Sequence, residues 1–75
     1  MDFIELNLIS GYRMCVRKDL VLQVFDLCFI TKDMVKERPF LKDLDSCTMV
    51  QLSIEKEGYY CVDTYESIIQ QLKEQ

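Results

Sequence analysis

The chain has 75 residues, of which 49% are hydrophobic and 29% charged, and its formal net charge is −4. This length allows one small domain, and so high an apolar fraction excludes a disordered chain. Nonspecific nucleic-acid binding is disfavoured, because it depends on an excess of Lys and Arg that contacts phosphate. We therefore expect a single folded domain over residues 1–75.

The sequence contains no histidine, which excludes the Ser-His and Cys-His arrangements of nucleophilic enzymes. Gly11 and Gly58 stand alone, so the chain has no glycine-rich phosphate-binding loop. Carboxylate pairs such as Asp43 with Asp45 fall in predicted loops, where water solvates them. We predict a non-enzymatic protein without catalytic residues and without a cofactor.

Four cysteines are spread along the chain without a C-x-x-C pair: Cys15, Cys28, Cys47 and Cys61. A zinc site or a disulfide would require them to converge from separate elements, so reduced thiols are the better interpretation and no metal site is predicted. Acidic Asp2 and Glu5 replace the basic start of a signal peptide, and no apolar run approaches the length of a membrane span. We therefore expect a cytoplasmic protein that does not bind membranes.

The N-terminal strands are predicted within residues 2–30. An apolar residue at every second position is typical of a strand with one buried face, and these residues are Ile4, Leu6 and Leu8. Phe3 and Ile9 fall on the opposite, nominally polar face, which we expect to be partly covered. Alternation resumes over residues 12–17 after the turn signal at residues 10–11, so the two runs predict a hairpin.

The stretch from residue 18 to residue 30 is ambiguous between helix and strand. Its apolar residues fit a helical stripe, and Asp19 is a suitable helix cap. The density of Val, Phe and Leu on both possible faces favours a central or bent strand instead. We predict a strand that begins after a tight corner at Lys18-Asp19.

Residues 31–46 are predicted as a long polar loop. Pro39 interrupts the segment, while Thr31 is able to cap a single helical turn before it. Phe40 and Leu44 are apolar within an otherwise charged connection. Loops of this length are often functional, so these two residues either cover an open end of the sheet or bind a partner protein.

A C-terminal hairpin is predicted over residues 47–62. One face of its first strand is apolar or β-branched, comprising Thr48, Val50, Leu52 and Ile54, whereas Met49 lies on the other face. Gly58 is expected to adopt the positive φ that a short hairpin loop with a bulge needs. On the return strand, Tyr60 and Val62 are predicted to share one face, with Tyr59 and Cys61 on the opposite one.

A helix is predicted over residues 63–74. Asp63 is the expected N-cap, and Glu66 completes a box-like pair with it. The helix carries a narrow apolar stripe of Tyr65, Ile68, Ile69 and Leu72. Its polar face lacks the Lys and Arg cluster of membrane-surface helices, so we predict that the stripe covers a sheet.

A set of apolar residues and turn glycines spans most of the chain: Phe3-Ile4-Glu5-Leu6, Gly11, Val16-Arg17-Lys18-Asp19-Leu20, Val24, Val50-x-Leu52, Gly58, Tyr60-x-Val62-Asp63 and Glu66-Ser67-Ile68-Ile69. This pattern resembles the FlbD-type family of small proteins encoded in flagellar operons, and similar short proteins of bacteria and their phages. The chain departs from the family in a longer 31–46 segment and in having Arg17 or Lys18 where the family has Asn. The resemblance implies a cytoplasmic, non-enzymatic accessory protein and transfers no catalytic residue.

The predicted fold is α+β and mainly β: about five antiparallel strands in a curled or partly closed small sheet, with one C-terminal helix. A small sheet has two unpaired edges that invite another chain. We therefore predict a protein-interaction or assembly module that forms a homodimer and binds other proteins through residues 31–46. The candidate contact residues are Phe3, Ile9, Met49 and Tyr59, which fall on nominally outward faces, and Phe40 and Leu44 of the long loop.

The alternative function is a nucleic-acid-binding regulator. Arg13, Arg17 and Lys18 form a local basic cluster, and Tyr12 beside them is suited to stacking on a base. The net acidic charge makes this alternative the weaker of the two.

Overall fold

The computed structural model describes residues 2–74. Five strands and two helices follow one another along the chain: β1 (Phe3–Asn7), β2 (Arg13–Arg17), β3 (Val21–Leu27), α1 (Lys32–Glu37), β4 (Cys47–Leu52), β5 (Gly58–Cys61) and α2 (Tyr65–Lys73). Short 3-10 turns lie at Lys18–Leu20 and Pro39–Leu41. The predicted α+β, mainly β class is confirmed. Within the described part, neither helix has the length and apolar character needed to cross a membrane.

The strands form two antiparallel sheets, one of β1 and β2 and one in the order β3-β4-β5. The sheets meet at a bridge between Leu8 and Cys61. There the backbone amide of Ile9 donates to the carbonyl of Tyr60 at 3.0 Å, and the amide of Val62 donates to the carbonyl of Asn7 at 2.8 Å. The five strands therefore continue from one sheet into the next without closing into a barrel.

The ambiguous stretch is a strand, as predicted, and it starts after the 3-10 corner at Lys18–Leu20. Of the two forms predicted for it, a central or a bent strand, the central one is wrong, because β3 lies at the end of the three-stranded sheet. The short turn after β4 places β5 on one side of β4, so β3 pairs with its other side and remains outermost. The register of β3 against β4 shifts between Val21 and Gln23, an irregularity of the kind that bends a strand.

One core is shared by both sheets and by α2. Its fully or nearly fully buried members are Ile4, Leu6, Val16, Val50, Leu52, Cys61 and Ile68. The predicted inward faces of β1 and β4 are confirmed at Ile4, Leu6, Val50 and Leu52. Ile54 was predicted to share the inward face of β4, but that is wrong, because the strand ends at Leu52 and Ile54 is exposed in the turn.

Helix α2 lies over the core with Ile68 fully buried and Leu72 packed against its margin. It contacts both β1 and β3, so the predicted role of its apolar stripe in covering the sheets is confirmed. The predicted cap is wrong: the Thr64 side chain, rather than Asp63, accepts the hydrogen bond from the amide of Ser67. Asp63 instead accepts from the backbone amide and side-chain amide of Asn7, at 2.6 and 2.9 Å.

The two glycines serve different purposes. Gly11, in the turn after β1, has a φ of 97°, which side-chain-bearing residues rarely adopt. Gly58 was expected to have a positive φ, but it does not. A Cβ at this position would lie 2.1 Å from the Sδ of Met49 on the neighbouring strand, so the Met49 side chain would have to move to admit it.

The segment predicted as a loop contains α1, which Thr31 caps by accepting from the amide of Met34 at 3.2 Å. The helix ends at Arg38, as expected for a residue that precedes proline. The 3-10 turn at Pro39–Leu41 follows and buries Leu41 almost completely. The connection thus contains a buried apolar side chain of its own.

Candidate functional site

An apolar groove of about 570 Å³ opens where three separate stretches of chain meet. These are the turn after β1, the strand β5 and the segment after Pro39. The groove is lined by Leu8, Ile9, Ser10, Phe40, Asp43, Leu44, Gly58, Tyr59 and Tyr60. It brings together four of the six contact residues predicted from the sequence, namely Ile9, Phe40, Leu44 and Tyr59.

The turn after β1 is held in place by backbone hydrogen bonds. The amide of Leu8 donates to the carbonyl of Tyr12 at 2.8 Å, and the amide of Gly11 donates to the carbonyl of Leu8 at 3.0 Å. The bond from Ile9 to Tyr60 then fixes this turn against β5. Because the backbone is fixed on both sides, the first wall of the groove has a defined position.

Tyr59 joins the groove to the core. It pairs with Val50 across the hairpin and packs against the core cluster, so its predicted outward-facing position is wrong. The reason is the hairpin register, which places Tyr59 and Cys61 on the inner face together with Val50 and Thr48. Its hydroxyl donates to the carboxylate of Glu55 at 2.6 to 2.7 Å, and this hydrogen bond raises the pKa of Tyr59.

Phe40 and Tyr60 form the opposite part of the lining. Their rings meet edge to face, with centroids 5.3 Å apart and planes inclined by 71°. The Arg38 guanidinium carbon lies 5.7 Å from the centre of the Tyr60 ring, within the range of a cation–π contact. Phe40 nevertheless keeps 54% of its surface exposed. The aromatic ring is therefore both positioned and accessible.

Phe3 and Met49 do not line the apolar groove. Phe3 is exposed at the start of β1, opposite Arg17 of β2. Met49 lies on the outer face of β4, as predicted, and pairs there with Phe25 on one side and Tyr60 on the other. Met49 is half-buried on this outer face and lies outside the groove lining.

The predicted basic cluster is dispersed along β2. Tyr12 is exposed just before the strand, and Arg13 is exposed at its first position. Arg17 forms an ion pair with Asp19 at 2.7 Å, and the Nζ of Lys18 donates to the backbone carbonyl of Glu74. Arg13 and Arg17 are four residues apart on one strand, a separation of about 13 Å. The structure therefore does not gather these side chains into one site.

The four cysteines divide into two classes. Cys15 and Cys28 are exposed, whereas Cys47 and Cys61 are buried. Burial raises the pKa of Cys47, and it raises the pKa of Cys61 to about 12 together with the nearby charges of Asp63 and Cys47. Among residues 2–74, no group of three or more Cys, Asp or Glu side chains is arranged to hold a metal ion.

Sequence reasoning missed the other five of the nine groove residues, among them the apolar Leu8 and the aromatic Tyr60. Leu8 was assigned to the core, where it also makes contact, and the alternation of the strand gave no sign that it continues to the surface. Tyr60 was predicted only to share a face with Val62, because its contact with Phe40 spans 20 residues of chain. No local pattern in the sequence pairs Tyr60 with Phe40.

Comparisons of this chain with protein-family models, with curated proteins and with solved structures found no match in any of the three.

Proposed function

We propose that this chain is a non-enzymatic, self-associating protein-interaction module whose apolar groove receives an apolar side chain of a partner protein. The observation that supports this proposal is that apolar residues from separate stretches of the chain converge on one groove. Ile9 comes from the turn after β1, and Phe40 and Leu44 come from the segment after Pro39. These stretches are far apart in the sequence, yet they line one groove beside Tyr59 of β5. A cytoplasmic accessory role, as the resemblance to FlbD-type proteins implies, is part of the proposal.

The composition of the groove supports protein binding. Aromatic residues are enriched at the energetic centres of protein interfaces, and three of them line this groove: Phe40, Tyr59 and Tyr60. Only Asp43 brings a charged side chain to the lining. A partner that inserts an apolar side chain would therefore gain hydrophobic burial with little cost from removing charges from water.

The rigidity of the groove lining also supports the proposal that the groove binds a partner protein. Tyr60 is held between Phe40 and Arg38, and the hydroxyl of Tyr59 is bonded to Glu55. Side chains that are already ordered lose little conformational entropy when a partner binds. The side chains that line the groove are thus already ordered before a partner binds.

Nucleic-acid binding is less well supported. Arg17 and Lys18 already have partners within the chain, and the net charge of −4 opposes the approach of phosphate. We therefore favour a protein partner.

The test is comparative capture from a lysate of the cells that encode the chain. The groove variant is Ile9→Ser/Phe40→Ser, and the control is Ile54→Ser/Phe29→Ser, which removes the same residue types from exposed positions outside the groove. We expect at least one protein to be retained by the native chain and the control and to be reduced about tenfold or more by the groove variant, since a buried interface anchor contributes ~2 kcal/mol or more. Identical sets of captured proteins with all three baits would contradict the proposal.

A further inference from the structure

A second cavity, of about 390 Å³, lies on the connection between β3 and β4. It combines half-buried aliphatic side chains with exposed lysines. The aliphatic residues are Ile30, Val35 and Leu44, and the lysines are Lys32, Lys36 and Lys42. These six residues are called the lysine surface below. Leu44 also lines the apolar groove, so the two sites are neighbours.

The charge of the lysine surface is opposite to that of the whole chain. Asp and Glu outnumber Lys and Arg by 13 to 9 in the sequence, yet among residues 2–74 this cavity is lined by three lysines and no carboxylate. The ion pairs within the same residues are Arg17–Asp19 and Arg38–Glu37, so no salt bridge neutralises the three lysines. The lysine surface is therefore a local site of positive potential on an acidic protein.

The spacing of charges along α1 produces this separation. Lys32 and Lys36 are four residues apart and so lie on one face of the helix, and Val35 lies on the same side. Asp33 and Glu37, also four residues apart, occupy a different face. Because like charges at this spacing repel each other, a carboxylate bound beside the two lysines is stabilising.

We propose that the lysine surface binds an acidic segment of a partner protein, one in which Asp or Glu residues stand beside an apolar side chain. Carboxylates of the segment pair with Lys32, Lys36 and Lys42, and its apolar side chain packs on the aliphatic residues between them. The lysine surface is distinct from the groove of the proposed function, which receives an apolar side chain without using these lysines.

Two features of the lysine surface favour a protein segment over a nucleic acid. Its apolar residues are aliphatic, and none of the described residues that line it carries an aromatic ring on which a base could stack. An extended nucleic acid would also meet the carboxylates of a chain whose net charge is −4, beginning with Asp43 next to Lys42. A short acidic segment contacts only the local positive charge and gains apolar burial as well.

The test is fluorescence anisotropy with a labelled ten-residue peptide rich in Glu and containing two Leu residues. The surface variant is Lys32→Glu/Lys42→Glu, and the control is Arg13→Glu/Lys56→Glu, which changes the net charge equally at exposed positions outside the lysine surface. We expect the native chain to bind the peptide, and the surface variant to bind it about tenfold more weakly than the control, because only there does repulsion replace attraction at the binding site. Circular dichroism checks that both variants fold.

Two further probes identify the chemistry of the ligand. A peptide with Gln in place of Glu should bind the native chain about tenfold more weakly, and so should a single-stranded DNA of ten nucleotides. The proposal is overturned if the surface variant and the control bind the acidic peptide equally, if the native chain shows no saturable binding, or if either further probe binds as tightly as the acidic peptide. Self-association that the surface variant alone abolishes, measured by light scattering, would place a second copy here and overturn it as well.

Should the surface variant fail to fold, amide chemical-shift mapping of the native chain with the acidic peptide decides. We expect the largest shifts within residues 30–44, since all six residues of the lysine surface lie there. Shifts centred elsewhere would overturn the proposal.

Discussion

At the scale of single residues, the cysteines show how burial controls chemistry. A thiol reacts as its thiolate, so a buried thiol with a raised pKa is unreactive near neutral pH. Burial raises the pKa of Cys61 to about 12 and also raises that of Cys47. Cys15 and Cys28 are exposed and accessible to reagents.

We expect iodoacetamide at pH 8 to alkylate Cys15 and Cys28 first in the native chain, and Cys47 and Cys61 at least tenfold more slowly. The buried thiols lack both access and thiolate character. Peptide mapping by mass spectrometry over a time course measures the four rates. All four cysteines should react together in 6 M guanidinium chloride, and a native Cys61 that reacts as fast as Cys15 would refute the assignment.

At the scale of elements, two adjacent residues at the start of α2 have different structural roles. Thr64 caps the helix, while Asp63 ties its start to the end of β1 through Asn7. The hydroxyl of Thr48 adds a bond from β4 to the carbonyl of Asp63 at 2.8 Å. This junction therefore connects both sheets to the helix.

We expect Thr64→Ala to lower the free energy of unfolding by about 1 kcal/mol, the usual value of an N-cap. Asp63→Ala should cost about 2 kcal/mol or more, because two hydrogen bonds to a charged acceptor are lost. Urea denaturation measures both. In an Asn7→Ala background, the cost of Asp63→Ala should decrease while that of Thr64→Ala stays the same. If the two substitutions lower the free energy of unfolding equally, and neither effect depends on Asn7, then Thr64 and Asp63 do not have these separate roles.

At the scale of the whole molecule, the two sheets are united by a common core as well as by their backbone bridge. Ile4 and Leu6 come from one sheet, Val50 and Leu52 from the other, and all pack in one cluster with Ile68 of α2. A chain of 75 residues has a total stability of about 4–11 kcal/mol. Loss of a side chain at the centre of this core is therefore expected to destabilise the entire fold.

We expect Ile68→Ala to lower the free energy of unfolding by about 2–5 kcal/mol, since the cavity it leaves lies between both sheets and the helix. Ile54→Ala is the matched control, because Ile54 is 66% exposed and should change stability by ~0.5 kcal/mol or less. Thermal unfolding followed at the tyrosines and at the backbone should show one shifted transition. Two separate transitions would mean that the sheets unfold independently.

Local patterns in the sequence were sufficient to predict the strands, the C-terminal helix and the mainly β class, but not the full length of α1. The alternation around Leu6 and Val50 and the stripe through Ile68 record directly which side of each element is apolar. The corner before β3 and the cap at Thr31 were also predictable, because both depend on neighbouring residues. These features belong to short segments and depend on side chains that are adjacent in the sequence.

Only the tertiary structure decided how those elements combine. The edge position of β3 follows from which strands flank β4, and the inward face of Tyr59 follows from a register that a shift of one residue would reverse. Asp63 was predicted as a cap because that role is local, whereas its partner Asn7 lies 56 residues away. The apolar groove likewise exists only where distant stretches meet. Such contacts depend on packing over the whole chain, and no local pattern encodes them.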